Sequence, residues 1–110
     1  MRVERTRQID TSDPDENGLY EYTYEYDIYR FTDGTVSFVA RSYTESPEDA
    51  NFLHIEVDGK RRLLIDSDLK HPLLIAANAY LVRDGKSRLS WLRGVGGSEE
   101  LLASGPSDKA

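Results

Sequence analysis

The 110-residue chain predicts an α+β fold: an antiparallel β-sheet of four to five strands, built from Asp-Gly hairpins, with one helix packed on it. Three observations carry this expectation. An Asp-Gly pair recurs at Asp33-Gly34, Asp58-Gly59 and Asp84-Gly85, each between segments rich in β-branched, aromatic or leucine residues, which is a strong hairpin signal. From Leu19 to Phe31 polar and apolar residues alternate, as in a half-buried strand. From Leu73 to Val82 the one amide or charged side chain is Asn78, among leucines and alanines that favour helix.

In chain order, Thr11 to Gly18 reads TSDPDENG, all turn-formers and acids, so residues 1–18 are expected to form a disordered arm. The single domain then spans residues 19–93. Its first strand sets Tyr20, Tyr22, Tyr24, Tyr26 and Ile28 on one face and Glu21, Thr23, Glu25 and Asp27 on the other. A three-residue loop, Thr32-Asp33-Gly34, with left-handed Gly34 in a bulge pairs Ile28 with Phe38, Tyr26 with Ala40 and Glu25 with Arg41. That register makes the tyrosine face continuously apolar, whereas a two-residue Asp33-Gly34 turn mixes the faces. The same logic at Gly59 groups Leu53, Ile55, Val57, Leu63 and Ile65 on one face and His54, Glu56, Lys60 and Arg62 on the other. Between the hairpins, Ser46-Pro47-Glu48-Asp49 suits a loop with one helical turn. A helix is expected from about Asp68 to Arg83, capped by Ser67 or Asp68 and ended by Gly85. The competing reading is a third hairpin from Ala79 to Arg83 and Ser87 to Leu92. A short strand near Leu89 to Leu92 precedes a flexible tail over 94–110, where four glycines stand among serines.

Hydrophobic residues make up 38% of the chain and charged ones 31%, enough for one core and too little for a membrane span. The absence of cysteine excludes disulfides and thiolate chemistry and fits a reducing compartment. With no apolar stretch near Met1, a cytoplasmic location is expected. The net charge of −6 is uneven: residues Asp10 to Asp58 are strongly acidic, and residues 60–93 are basic through Lys60, Arg61, Arg62, Lys70, Arg83, Lys86, Arg88 and Arg93. The two halves either neutralise each other on packing or present the basic side to an anionic partner.

Motifs that announce chemistry are missing. The sequence holds no phosphate-binding glycine loop, nucleophile elbow or zinc-ligand spacing. His54 and His71 with Asp66 or Asp68 could compose a metal site, but nothing in their spacing makes them converge, and helix capping accounts for Asp66-Ser67-Asp68 more simply. No catalytic residue, cofactor or metal is assigned. The tyrosine row could stack bases with nearby arginines on phosphate, yet the acids beside it repel phosphate, so core packing is the expected role of Tyr22, Tyr24 and Tyr26. The apolar surplus from Leu73 to Val82 exceeds what one sheet face can bury, which suggests an interface at Leu74, Leu81 and Trp91. The expected function is therefore a small non-enzymatic protein-interaction module that binds another protein or a second copy of itself. Nucleic-acid or polyanion binding through residues 60–93 is the alternative, followed by a small enzyme or metal protein.

Overall fold

The computed structural model describes residues 1–19 and 23–92 and the backbone of 98–101. It is an α+β structure in which one sheet, ordered β1-β2-β3-β4-β6-β7, carries one helix, and the short β5 pairs with β4. The strands are β1 (Arg2–Thr11), β2 (Thr23–Thr32), β3 (Val36–Tyr43), β4 (Asp49–Val57), β5 (Lys60–Arg62), β6 (Arg88–Leu92) and β7 (Ser98–Leu101). A 3-10 turn (Asp66–Lys70) leads into helix α1 (Pro72–Arg83). All neighbouring pairs are antiparallel except β4 with β6, which α1 connects as a parallel crossover. No helix among the described residues is long and apolar enough to cross a membrane.

The first hairpin differs from the sequence-based register. Tyr26 faces Tyr43, Ile28 faces Arg41, Tyr29 faces Ala40 and Phe31 faces Phe38. Asp33 N–H donates to the Val36 carbonyl at 3.2 Å, so Gly34 and Thr35 form the loop, with Gly34 at φ 104°. Glycine at the first central position suits a two-residue hairpin, because a side chain resists positive φ there. The Asp33 carboxylate tightens the loop by accepting from the N–H groups of Thr35 and Val36. The consequence is a change of face. Asp27, Tyr29 and Phe31 point towards α1 and are buried, whereas Tyr24, Tyr26 and Ile28 lie on the opposite side.

The strand β1 makes that arrangement possible, and it stands where a disordered arm was expected. Arg2–Thr11 pairs with β2 along its whole length, setting Arg5 opposite Tyr29 and Arg7 opposite Asp27. Arg5 and Arg7 both bond the Asp27 carboxylate, which is 7% exposed. A buried carboxylate without such partners would oppose this register. At the other end, Ser98–Leu101 forms β7 against β6, so part of the expected flexible tail is strand. The rest of 94–110 lies outside the described residues.

The second hairpin closes on Asp58 and Gly59, both at positive φ, with Val57 opposite Lys60. This two-residue loop replaces the expected bulged one. Leu64 is buried while Leu63 and Ile65 are exposed, the reverse of the expected grouping. On β4 the pairing slips between Val39 and Ala40, leaving Leu53 as an extra residue. The bulge turns Phe52 and Ile55, three positions apart, into the same core.

Helix α1 starts later than expected because Pro72 suits the first helical position. The His71 ring Nδ1 accepts from the Leu73 N–H at 3.0 Å and caps it. At the far end, Lys86 N–H donates to the Leu81 carbonyl and Gly85 N–H to that of Val82, with Gly85 at φ 95°. This is a Schellman closure. Leu73, Leu74, Ala77 and Leu81 pack on Tyr29, Phe31, Phe38, Phe52, Leu89 and Trp91.

Candidate site on the open sheet face

The predicted interaction residues are inside the chain's own core. Leu74, Leu81 and Trp91 are 3%, 0% and 1% exposed, so none of them is presented to a partner. Sheet and helix bury these positions together because the sheet is wider than four to five strands. The apolar surplus emerges instead on the outer side of α1, at Ile75, Ala79 and Val82. Their spacing of four and three residues places them in one stripe.

Polar side chains converge in two places. The first lies beneath the sheet on the helix side. Asp27 is gripped by Arg5 and Arg7, and their hydrogen bonds, Arg7 first and Arg5 after it, hold its pKa below the ordinary carboxylate value despite burial. Tyr29 donates its hydroxyl to Asp84 at 3.0 Å, and burial followed by that acceptor pushes its pKa up to about 12. Lys86, 7% exposed, donates from Nζ to the Pro47 carbonyl at 2.6 Å. A cleft of about 240 Å³ runs beside these groups. Arg5 and Arg7 are matched here by Asp27, Asp84 and Glu25, and the cluster ties β1, β2 and the end of α1 together.

The second place is the other face of the sheet. Arg41 on β3, Asn51 on β4 and Ser90 on β6 occupy one row across three strands, and they line a cleft of about 410 Å³ with Tyr43, Ser46, Asp49 and Arg88. Tyr43 of that lining packs against two tyrosines of β2. The Tyr43 ring packs edgewise against Tyr24 at 5.8 Å and Tyr26 at 5.5 Å, and the Arg41 guanidinium lies 4.8 Å from the Tyr43 centroid and 5.9 Å from that of Tyr26. Arg41 is half-buried. Its Nε is buried without a hydrogen-bond partner, and among the described residues no carboxylate pairs with it. By contrast Arg30 is paired with Glu56, Arg62 with Asp68 and Arg88 with Glu48 and Asp49.

The histidines stand apart from that cleft. His71 serves as the helix cap and packs edgewise on Phe38. His54 Nε2 is 3.1 Å from Glu56 Oε2, and burial lowers its pKa. Asp68 accepts from Arg62 and from the Ile65 N–H. Burial opposes its charge, yet those donors prevail and its pKa falls. Among the described residues no group of three or more histidines and carboxylates is placed to hold a metal ion.

The core role expected of the tyrosine row fails at Tyr24 and Tyr26, which lie on the open face, whereas Tyr20 and Tyr22 lie outside the described residues. The signal that could have corrected this is the apolar parity of β2, which changes after Ile28: Tyr29 and Phe31 are followed two residues apart, while Arg30 and Thr32 continue the tyrosine row. No family model, curated protein or solved structure matches the chain.

Proposed function

We propose that this chain is a small protein-binding module that meets its partner with the open face of the sheet. The observation that carries the reading is the aromatic cluster of Tyr24, Tyr26 and Tyr43 around Arg41, an arginine with no acidic partner among the described residues. Tyrosine and arginine supply much of the energy at protein interfaces, because they offer large contact area and directional donors together. Tyr24 is 45% exposed, which leaves ring surface for a partner to cover. A cytoplasmic setting belongs to the proposal and is supported by the cysteine-free sequence.

Polyanion binding through residues 60–93 has less support. Arg62 and Arg88 of that half already hold carboxylates, which weakens their field towards phosphate. The test of the proposal is site-specific cross-linking in extracts of the source cell, with a benzophenone amino acid at position 24 and, as control, at position 75 on the outer helix. A discrete protein adduct from position 24, absent from position 75 and competed away by unlabelled chain, is expected. Equal labelling from both positions, or none from position 24, overturns the reading.

A further inference from the structure

We infer that the cleft at Arg41 is a carboxylate-binding site, with the Arg41 guanidinium as the anion's principal partner. The inference deepens the reading of the open face as a contact surface and names the chemistry that face selects.

Arg41 differs from the other half-buried cations in what surrounds it. Its guanidinium carbon lies over the Tyr43 ring and, farther off, over that of Tyr26, and the N–H donors of a guanidinium lie in its own plane and point out at its edges. Tyrosine faces attract the cation but accept none of those in-plane hydrogen bonds. Nε is buried and closed off from the cleft, so the donors that a ligand can reach are those of the two terminal nitrogens, to which the described residues offer no hydrogen-bond acceptor. The planar group that engages both terminal nitrogens at once is a carboxylate, which takes their donors end-on through its two oxygens.

The cleft walls select for a single negative charge. Asp49 stands in the wall with its carboxylate bonded to Arg88, and Arg88 also reaches Glu48. Arg88 is thus shared by two carboxylates, so Arg41 faces walls that already carry an excess of negative charge, in a chain of net charge −6. A phosphate dianion would meet more repulsion there than a carboxylate monoanion. Across the floor, Ser90 donates its hydroxyl to Asn51 Oδ1 at 3.1 Å, and Ser46 adds a further hydroxyl to the lining. The volume of about 410 Å³ admits the atoms attached to the carboxylate as well as the anion itself, so a free organic acid and the C-terminus of a peptide are both sterically suitable sources.

The test is an NMR titration of the ¹⁵N-labelled full chain with four probes: acetate, an acetylated alanine tripeptide with a free C-terminal carboxylate, the same tripeptide amidated, and inorganic phosphate. Saturable shifts of the Arg41 Nε–H resonance and of the Asn51 and Ser90 amides are expected with the carboxylates and not with the amide. Acetate binding as tightly as the free-acid peptide identifies a small organic acid as the source, and tighter peptide binding identifies a chain terminus. Arg41→Gln should abolish the response, and Arg41→Lys should weaken it about tenfold because lysine lacks the planar fork. Arg83→Gln, at the exposed end of α1 and outside the cleft, should retain it, and Trp91 fluorescence checks that each variant is folded. An unresponsive Arg41 Nε–H, an equal response to the amidated peptide, a tighter response to inorganic phosphate, or persistence of binding in folded Arg41→Gln overturns the inference. Cross-linking from position 24 that survives Arg41→Gln would leave the open-face reading standing while the carboxylate site falls.

Discussion

Asp27 shows how a single residue decides which side of a strand goes inside. It lies on the buried face of β2 with Tyr29 and Phe31, and the arginines opposite it make that burial tolerable. Because its folded pKa is below the unfolded value, the ionised form favours the folded state. Its contribution is complete above the unfolded pKa of about 3.9 and disappears as pH falls through the folded value. Asp27→Asn should therefore lower stability by about 1–2 kcal/mol at pH 7, a figure reduced for the half-exposed arginines. The gap between wild type and variant in urea denaturation should narrow below the folded pKa. His54 has the opposite charge sense. Burial depresses its pKa, so its protonation opposes folding, and stability falls as pH drops from about 6.5 through the lower folded value. An NMR titration should give His54 a midpoint below about 6.5, and His54→Gln should remove that part of the pH slope.

At the scale of elements, β1 and the β2 register are one physical event. Deleting residues 1–11 leaves Asp27 buried without Arg5 and Arg7, and should destabilise the chain by about 3 kcal/mol or more. Adding Asp27→Asn to the truncated chain should recover part of the loss, measured by urea midpoint. This coupling explains why the hairpin could be found in the sequence while its faces could not. Asp33-Gly34, Asp58-Gly59 and Gly85 mark local backbone turns, and all three glycines take positive φ, since turn chemistry is set by neighbouring residues. The face of β2 depends on partners more than fifteen positions away, in a segment whose composition resembles an unfolded arm. The bulge at Leu53 is equally silent, because it reveals itself only when Val39 and Ala40 are seen to pair around it. Likewise the open-face cleft joins Arg41, Asn51 and Ser90 from three strands, and no spacing along the chain announces it. The helix and β6 were legible because α1 carries local signals at both ends. Gly85→Ala should confirm the helix end by lowering stability about 1 kcal/mol through strain at φ 95°.

For the molecule as a whole, the sheet and helix share one core centred on Phe31, Phe52, Leu81, Leu89 and Trp91. Replacing both Leu81 and Trp91 with serine should unfold the chain, since each large core truncation costs about 2–5 kcal/mol. Ile75→Lys on the outer stripe should change stability by less than about 0.5 kcal/mol, as circular dichroism melting would show. The parallel pairing of β4 with β6 also orders events in time. Strands β1 to β4 meet their neighbours through successive antiparallel pairings, but Asp49 reaches Arg88, and Phe52 reaches Trp91, only after the chain has passed through α1. Closing that long loop should come late in refolding, because distant pairings bear their entropic penalty before their contacts form. The single tryptophan lies in β6 and is 1% exposed. In stopped-flow refolding its fluorescence should therefore reach the native value after far-ultraviolet circular dichroism has recovered most of its amplitude. Coincident traces would mean that β6 docks in the same step as the antiparallel strands.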